Sequence, residues 1–523
     1  MLLIFSLLAR LPFSFGSFDG ALYYDQRLDH FNPHESRTFK QRYFSNMEYV
    51  SGKAKKVVLY IGGESTFREK SVISGSCIEL AKREKAAIYG LEHRFFGESM
   101  PFDELTSQNL AYLTIDQALY DLAAFIDFIK SLPTSAEDIS FVVVGGSYPG
   151  SLSSWFRLKF PHLTVASWSS SAPLHIKNDF TEYDSYVADQ LKLLSPKCLN
   201  NTRKIFEKAH QRIASGNPQE IADLKHELSV LDTQDDVSTL YVMTDVLAAA
   251  VQYNSRYNLL SSYCYNQENS DDGNYTAFIE MYNNLLKTMG STPLDFDLLE
   301  QTNTSSKSPI ANGRSWSWMT CNEVGWFQTN SNRLRSSFLN LSYFNRVCKT
   351  LFNLDELADE AEVNRRYGGQ NPRQTRVFFL NGAVDPWSTL SVHVPDESIE
   401  RFSIVIPDES HCADLYPLSD ADRTPLKNAK QAVINQISKW WNEPICNGTC
   451  KNGVCLAGRC VCNKGYGGDI CDIQIVDKYY LDVAIICGVS IPVVSVVIII
   501  LCSWIFVYRR RKINETPLLS SAQ

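Results

Sequence analysis

The sequence predicts an α/β fold in which helices cover a mostly parallel β-sheet. Short apolar, β-branched runs recur at residues 56–61, 86–91 and 141–144, as expected for strands that are buried on both faces. A helical pattern at residues 113–130 separates the second run from the third. A glycine-rich turn then leads from the third run into another helical segment, which is the alternation of parallel α/β sheets.

The composition restricts the class of protein further. The 523 residues carry a formal charge of −8, and 44% are hydrophobic, 12% aromatic and 21% charged, which is typical of a folded protein and excludes intrinsic disorder. The pI is about 5.7 and the one dense basic run is at residues 509–512, so nucleic acid is not an expected partner. We expect neither a cofactor nor a metal ion.

The first 16 residues are apolar and lead into small residues, although Arg10 interrupts them. This pattern predicts a cleaved signal peptide at residues 1–16.

The helix predicted at residues 113–130 has a clear start. Thr114 and Gln117 have the spacing of a capping box, and apolar residues then recur three and four positions apart.

Residues 145–150 read Gly-Gly-Ser-Tyr-Pro-Gly between a strand and a helical segment. A tight turn at this place exposes the serine oxygen above the sheet, at the positive end of the next helix. Ser147 is therefore a candidate nucleophile, and the Tyr148 N–H a candidate oxyanion donor. The strict Gly-x-Ser-x-Gly pattern is not met because position 149 is proline, and an ordinary glycine-serine turn is the alternative.

A nucleophilic serine needs a base and a group that orients the base, which follow in the order Ser, acid, His in this kind of fold. The apolar run at residues 377–380 places Asp385 in the loop behind it, and the run at 404–406 places His411 behind the next predicted strand. Functional groups collect at these carboxyl ends in α/β sheets. We expect Ser147, Asp385 and His411 to form a catalytic triad.

Between Ser147 and Asp385 lie 237 residues, more than the remaining sheet units need. The segment from about 178 to 370 is rich in helical patterns and predicts a cap over the site, with the core at residues 20–177 and 371–443. Four of the six cysteines scattered through residues 20–443 lie in this cap.

Six further cysteines crowd into residues 446–471 among glycines. Such a short segment cannot build a sufficient core and needs staples. The residues alone leave fifteen disulfide pairings open. Zinc is the alternative, but the single residue between Cys460 and Cys462 favours disulfides.

Residues 483–508 contain no charged residue and are long enough to cross a bilayer as a helix. The four cations that follow predict a cytoplasmic tail at residues 509–523. We expect a single-pass type I membrane protein whose catalytic domain lies outside the cell or in the endolysosomal lumen. Five sequons on that side predict glycosylation at Asn200, Asn274, Asn303, Asn340 and Asn447.

Several phrases of residues 20–443 resemble one known family. They are QRLDHFNP at 26–33, LYIGGES, LEHRFFGES, GGSYPGSLSSWFRLKFPH, SSSAPL, RSWSWMTCNEVGWFQT at 314–329, NGAVDPW and SHCADL. These phrases are similar to the serine peptidases that include lysosomal prolyl carboxypeptidase, dipeptidyl peptidase II and, nearest, thymus-specific serine protease. The resemblance implies an α/β-hydrolase with a large helical cap insertion, with Ser147, Asp385 and His411 as nucleophile, acid and base.

The cysteine cluster at residues 446–471 resembles an EGF-like module. That resemblance implies the pairs Cys446–Cys455, Cys450–Cys460 and Cys462–Cys471. The complete prediction is a hydrolase domain, a small disulfide-rich EGF-like module and one transmembrane helix.

Other residues of the same phrases are candidates for contact with a substrate. The turn at Gly63 and Glu64 is expected to supply the second oxyanion N–H. Trp387 is a candidate wall for a proline ring, and Trp316 and Glu323 are further candidates for substrate binding.

The expected function is that of a serine exopeptidase that acts on short peptides near one chain end, with a specificity related to proline. Attack at the amino end, as by a dipeptidyl peptidase, and at the carboxyl end, as by a carboxypeptidase, both stay open. Whether the protein forms a homodimer also stays open. The alternatives are an ester or lipid hydrolase and a weakly catalytic adhesion or receptor ectodomain.

Overall fold

The structure is a computed structural model that describes residues 20–443, 450–456, 459–467 and 471–474. The chain divides into a unit that ends at Glu443 and a second unit that begins at Pro444. The predicted signal peptide, membrane span and tail lie outside the described residues, as do Cys446 and Asn447. In the described part of the chain, no helix is both long and apolar enough to cross a membrane.

The first unit is built on one eight-stranded sheet and a separate pair of short strands. The sheet has the order β1-β2-β4-β3-β5-β6-β9-β10, and the short pair is β7 and β8. The strands are β1 Leu22–Arg27, β2 Thr38–Asn46, β3 Ala54–Ile61, β4 Ala87–Leu91, β5 Ser135–Gly146, β6 Ala166–Ser170, β7 Lys177–Asp179, β8 Gly325–Phe327, β9 Val377–Gly382 and β10 Arg401–Ile406.

The sheet is parallel from β4 to β10, while β2 is antiparallel to both β1 and β4. The three apolar runs of the sequence are β3, β4 and β5, and the two later runs are β9 and β10. The expected mostly parallel sheet is therefore present, with an antiparallel pair added at one edge.

Helices cover both faces of the sheet. They are α1 Lys70–Ile73, α2 Cys77–Glu84, α3 Ser107–Leu110, α4 Ile115–Ser131, α5 Tyr148–Lys159, α6 Thr181–Leu194, α7 Pro196–Ala214, α8 Pro218–Glu227, α9 Asp236–Gln252, α10 Asn254–Tyr257, α11 Leu259–Glu268, α12 Tyr275–Met289, α13 Ala311–Met319, α14 Leu341–Phe352, α15 Glu360–Tyr367 and α16 Thr424–Asn442.

Two hydrophobic cores follow from the alternation of side chains along the strands. Val57 and Val143 point to the face that α4, α5 and the cap cover. Val58 and Val142 point to the opposite face, which α1, α2 and α16 cover. Because both faces are buried, β3 and β5 are apolar without alternation, as the sequence predicted.

The start of α4 differs from the predicted capping box. Thr114 does cap the helix, since its hydroxyl accepts the Gln117 N–H at 3.1 Å. The side chain of Gln117, however, accepts from the His30 N–H and donates to Asp29 Oδ1. The reciprocal half of the box is absent because these two contacts to the β1–β2 connection occupy the amide.

The segment predicted as a cap, from about 178 to 370, contains α6 to α15. Two disulfides lie within it, Cys198–Cys264 and Cys321–Cys348. Cys77 and Cys412, both outside this segment, carry free thiols.

The second unit is a small arrangement of hairpins. Its strands are β11 Gly453–Leu456, β12 Arg459–Cys462, β13 Tyr466–Gly467 and β14 Ile473–Gln474. Disulfides join Cys450 to Cys460 and Cys462 to Cys471, two of the three pairs that the resemblance implied.

Candidate active site

Ser147 lies between the last residue of β5 and the first residue of α5, at the carboxyl edge of the sheet. Its backbone has φ 64° and ψ −134°, a conformation that costs a non-glycine residue on the order of 1–3 kcal/mol and is concentrated at functional sites. The Ser147 N–H donates to the Ser170 carbonyl at 2.9 Å, which holds the turn against β6. This is the sharp strand-to-helix turn that the sequence predicts.

Pro149 stands where the Gly-x-Ser-x-Gly pattern has glycine, and Gly63 in the loop after β3 leaves room for its ring. A Cβ atom on Gly63 would lie 2.3 Å from the Pro149 ring, and one on Gly145 would lie 2.1 Å from the Pro149 carbonyl oxygen. Pro149 therefore packs directly on the loop after β3, and only glycine fits at position 63. The proline ring thereby fixes the spacing between this loop and the start of α5.

Asp385 and His411 meet at the same edge of the sheet. Asp385 follows β9, His411 follows β10, and His411 Nδ1 lies 2.7 Å from Asp385 Oδ2. The other carboxylate oxygen accepts the Trp387 N–H at 3.0 Å, which orients the acid. Burial of the His411 ring acts to lower its pKa, but the Asp385 carboxylate and Cys412 raise it, and the pKa lies well above its usual value.

Ser147 and His411 line a common cavity of about 340 Å³ together with Tyr148. The described contacts include no hydrogen bond between Ser147 Oγ and the imidazole. In enzymes without substrate, such contacts are often long and tighten in the complex. The three residues expected as nucleophile, acid and base are thus brought to one site.

Aromatic side chains form a large part of the wall of this cavity. Trp387 packs against Trp326 with ring centroids 5.9 Å apart and donates from Nε1 to Gln252 Oε1 at 2.9 Å. Trp316 packs against Tyr148 at 5.5 Å and Trp326 at 6.3 Å. Both tryptophans named in the sequence analysis therefore line the cavity, and Trp326 lies there with them.

Two N–H groups were expected to form an oxyanion site. Tyr148 is the first residue of α5, where N–H groups lack partners within the helix. Glu64 follows Gly63 in the loop after β3 and lines the cavity. Burial raises the pKa of the Glu64 carboxyl, and His411 acts in the opposite direction.

Glu323, expected to bind substrate, lies elsewhere. Its carboxylate accepts the Ile115 N–H at 2.9 Å, at the start of α4, and Glu323 is not among the residues that line the cavity with Ser147. Burial raises its pKa to about 7. A role of Glu323 in substrate binding stays a prediction, and in the structure its carboxylate caps a helix.

His93 lies behind Tyr148, and the sequence analysis did not single it out although it belongs to the phrase LEHRFFGES. Its Nδ1 donates to the Arg94 carbonyl at 2.7 Å, so Nε2 accepts from the Tyr148 hydroxyl at 3.1 Å. Burial lowers the pKa of His93 to about 4, so the ring is neutral. Tyr148 is thus fixed at its hydroxyl as well as at its backbone.

Asp414 is a second residue that the sequence analysis did not single out. Its carboxylate accepts from Trp168 Nε1 at 2.8 Å and from the Ser170 hydroxyl at 2.5 Å. Since the Ser170 carbonyl holds Ser147, Asp414 supports the nucleophile turn from the loop that carries His411.

A larger cavity of about 830 Å³ adjoins the first. The two share Glu64, Met289, Cys412 and Tyr416 in their walls. Three cations, Arg68, Lys70 and Arg256, line the larger cavity, and Arg256 lies over the Tyr416 ring at 4.1 Å.

Four of the predicted glycosylation sites lie in the described residues. Asn200, Asn303 and Asn340 are exposed, whereas Asn274 is half-buried. Asn274 and Asn340 cap α12 and α14 through their side-chain oxygens.

Comparison with known proteins gives one family. The model of the family "Serine carboxypeptidase S28" matches residues 26–433. Mouse thymus-specific serine protease is 33% identical over 444 residues, which cover 80% of this chain and 86% of the mouse protein. The human protein of that name is 31% identical, with 80% of this chain and 85% of the human protein covered. Lysosomal Pro-X carboxypeptidase of Pongo abelii is 28% identical, with 80% and 88% covered.

Proposed function

The chain belongs to the serine carboxypeptidase S28 family and is a serine exopeptidase, and from this premise we propose that Ser147, Asp385 and His411 are its catalytic triad and that it cleaves next to proline. The observation that carries the proposal is the buried Asp385–His411 pair, at 2.7 Å, in the cavity that the strained Ser147 lines.

Each residue of the triad has one task. His411 takes the proton of the Ser147 hydroxyl as the serine attacks the peptide carbonyl, and later donates it to the leaving amine. Asp385 holds the proton on Nδ1, so that Nε2 faces the serine, and stabilises the imidazolium. Water then hydrolyses the acyl-enzyme by the same route.

The negative charge of the tetrahedral intermediate develops next to the start of α5. The Tyr148 N–H and an N–H of the Gly63–Glu64 turn bind the oxyanion. The packing of Pro149 on Gly63 supports this proposal, because it fixes the distance between the two donors.

The proline preference rests on the aromatic wall. Trp387 and Trp316 lie on the cavity with Trp326 between them. The compact, rigid pyrrolidine ring packs on such faces and leaves few polar groups to satisfy.

The placement of the enzyme is part of the proposal. Residues 446–471 form an EGF-like module and residues 483–508 a single membrane span, with the catalytic unit outside the cell or in the endolysosomal lumen. Four disulfides and three exposed sequons in the described residues support an oxidising, glycosylating compartment.

The test uses the full-length protein and peptides that differ only in proline against alanine at the residue before the scissile bond. Wild-type protein is expected to cleave the proline peptides faster. The Ser147→Ala variant is expected to lose cleavage, whereas Ser51→Ala, at an exposed serine before β3, keeps it. Cleavage by Ser147→Ala at the wild-type rate would contradict the triad. An absence of cleavage in every protein would favour the adhesion or receptor alternative.

A further inference from the structure

The larger cavity beside the active site is big enough to take part of a bound peptide. Its volume of about 830 Å³ lies near the upper end of the range of about 300–1,000 Å³ that is typical of ligand sites. Its wall includes Met289 from the cap segment and Cys412 from the loop that follows His411. Since Glu64, Met289, Cys412 and Tyr416 line both cavities, a peptide bound at Ser147 can extend into the larger one.

The wall of the larger cavity carries more positive than negative side chains. Its cations are Arg68, Lys70 and Arg256, and within the described part of the chain none of them forms an ion pair. The wall contains two carboxylates, Glu64 and Asp295. The cavity is therefore positive, whereas the chain as a whole carries a formal charge of −8.

Arg256 is attached to the loop that carries His411. It follows Ser255, whose N–H donates to Ser410 Oγ at 2.7 Å, while the Ser410 N–H donates to Ser255 Oγ at 3.1 Å. These two hydrogen bonds join the short helix α10 to the residue before His411. The Arg256 guanidinium lies 4.1 Å from the centroid of the Tyr416 ring, which lines both cavities. Arg256 is thereby held beside the wall that the two cavities share.

A guanidinium that lies on an aromatic ring keeps its hydrogen-bond donors for a ligand in its own plane. Arginine uses its face for the ring and its edge for a carboxylate, which it can bind with two parallel hydrogen bonds. The Tyr416 hydroxyl accepts a hydrogen bond from Arg256, and the remaining donors have no carboxylate partner in the described residues. Helix α10 has four residues and buries none of them, so the core does not need this side chain. The arrangement suits an acidic group that enters the cavity.

From these contacts we infer that the larger cavity binds an acidic side chain of the peptide substrate and that Arg256 holds its carboxylate. Arg68 and Lys70 add positive charge to the same cavity. The inference rests on the proposed function of the adjoining site and names a substrate class for it, namely peptides with an acidic residue near the scissile bond. The overall charge acts in the opposite direction, because a chain of charge −8 attracts basic peptides.

The first experiment compares acidic with neutral side chains in otherwise identical peptides. Short alanine peptides with a single proline carry Glu, Gln or Lys at one position at a time, and mass spectrometry gives kcat/KM for the full-length protein. At one position or more, Glu is expected to exceed Gln about 5- to 10-fold, the effect of one charged contact at a partly exposed site. A terminal carboxylate has the same chemistry, so each peptide is made with a free and with an amidated carboxyl end. Equal rates for Glu and Gln at every position would overturn the inference, also where a free carboxyl end raises both.

Salt separates attraction between charges from a better fit of the longer acid. The distance over which charges act falls from about 10 Å at 0.1 M salt to about 3 Å at 1 M. The ratio of Glu to Gln is therefore expected to fall toward 1 at high salt, and the Lys peptide is expected to be the slowest at low salt. A ratio that is the same at both concentrations, or a preference for Lys, would contradict the inference.

Substitutions assign the effect to one residue. Arg256→Gln is expected to bring the ratio of Glu to Gln near 1, and Arg256→Glu to make Lys faster than Glu. Arg203→Gln, at an exposed arginine of α7 outside both cavities, is the matched control and keeps the wild-type ratio. Each ratio compares two peptides on the same protein, so a general loss of activity cancels. A wild-type ratio in Arg256→Gln would contradict the assignment.

Failure of this inference and failure of the proposed function give different results. If the wild-type protein cleaves no peptide in a way that Ser147→Ala abolishes, the proposed function fails, and the inference fails with it. If the protein cleaves the proline peptides through Ser147 but does not prefer Glu to Gln, only the inference about the larger cavity fails.

Discussion

The carbonyl oxygen of Gln252, the last residue of a cap helix, accepts the backbone N–H of His411 at 3.0 Å. The side chain of the same glutamine accepts from Trp387 Nε1 and from the Tyr183 hydroxyl, both at 2.9 Å. The cap is therefore joined to His411, the proposed base, and to the proposed proline pocket through one residue. Its helices position the site as well as cover it.

Replacement of Gln252 tests this connection. Gln252→Ala removes the acceptor of two partly buried donors, and a net loss of about 0.5–1.5 kcal/mol is typical of each such hydrogen bond. We expect kcat/KM for proline peptides to fall at least about tenfold, with the wider pocket appearing mainly as a higher KM. Steady-state kinetics beside Gln219→Ala, an exposed glutamine of α8, measures the effect. Unchanged kinetics in Gln252→Ala would show that Trp387 holds its position unaided.

The contact between Gly63 and Pro149 makes a reciprocal prediction. Gly63→Ala places a methyl group 2.3 Å from the proline ring, so the oxyanion turn must move and kcat must fall. The double variant Gly63→Ala/Pro149→Gly removes the opposing ring and is expected to recover much of the activity. If both variants are equally impaired, the glycine is required for some reason other than the proline.

The pH dependence of activity follows from the charge of His411. Burial acts to lower its pKa, whereas Asp385 and Cys412 raise it, and the pKa is raised well above 6.5. The base must be neutral to accept the Ser147 proton, so kcat/KM should rise with pH through a value above 6.5. A profile of kcat/KM from pH 4.5 to 9 with a free-amine proline peptide measures it. Full activity at pH 5 would contradict the raised pKa.

The raised pKa of Glu323 makes the free energy of unfolding depend on pH. Its pKa is raised from 4.5 to about 7 by burial, so the folded state holds a proton that the unfolded state releases at lower pH. Stability from this group is therefore present below about pH 4.5 and is lost as the pH rises to about 7. Glu323→Gln keeps an acceptor for the Ile115 N–H without the charge.

Thermal unfolding at pH 5 and pH 7 checks the effect. The Tm of the Glu323→Gln variant is expected to fall less than that of the wild-type protein between the two values. An equal fall in both proteins would mean that Glu323 ionises normally in the folded state.

The sequence predicted most reliably those functional residues that come directly after a strand. The nucleophile turn, the acid loop and the base loop each come straight after a buried strand, and the carboxyl ends of parallel strands share one edge, so Ser147, Asp385 and His411 could be placed together. Local periodicity was also enough for β3, β5 and α4.

Long-range contacts explain what the sequence missed. Gln252 and Asp245 belong to a helix more than a hundred residues before the loops of Asp385 and His411. Nothing in the sequence around them marks them as polar groups of a cavity. Gln117 was assigned to a capping box, but Asp29 and His30 occupy its amide. Glu323 lies within a distinctive phrase, and its carboxylate is used to cap α4.

The identity of the nucleophile is the central claim, and covalent labelling tests it most directly. The full-length protein is treated with a fluorophosphonate, digested and read by tandem mass spectrometry, beside Ser147→Ala and His411→Ala. The account predicts one adduct, on Ser147 of the wild-type protein, with none in Ser147→Ala and a much slower reaction in His411→Ala. An adduct on another serine, or equal labelling of Ser147→Ala, would contradict it.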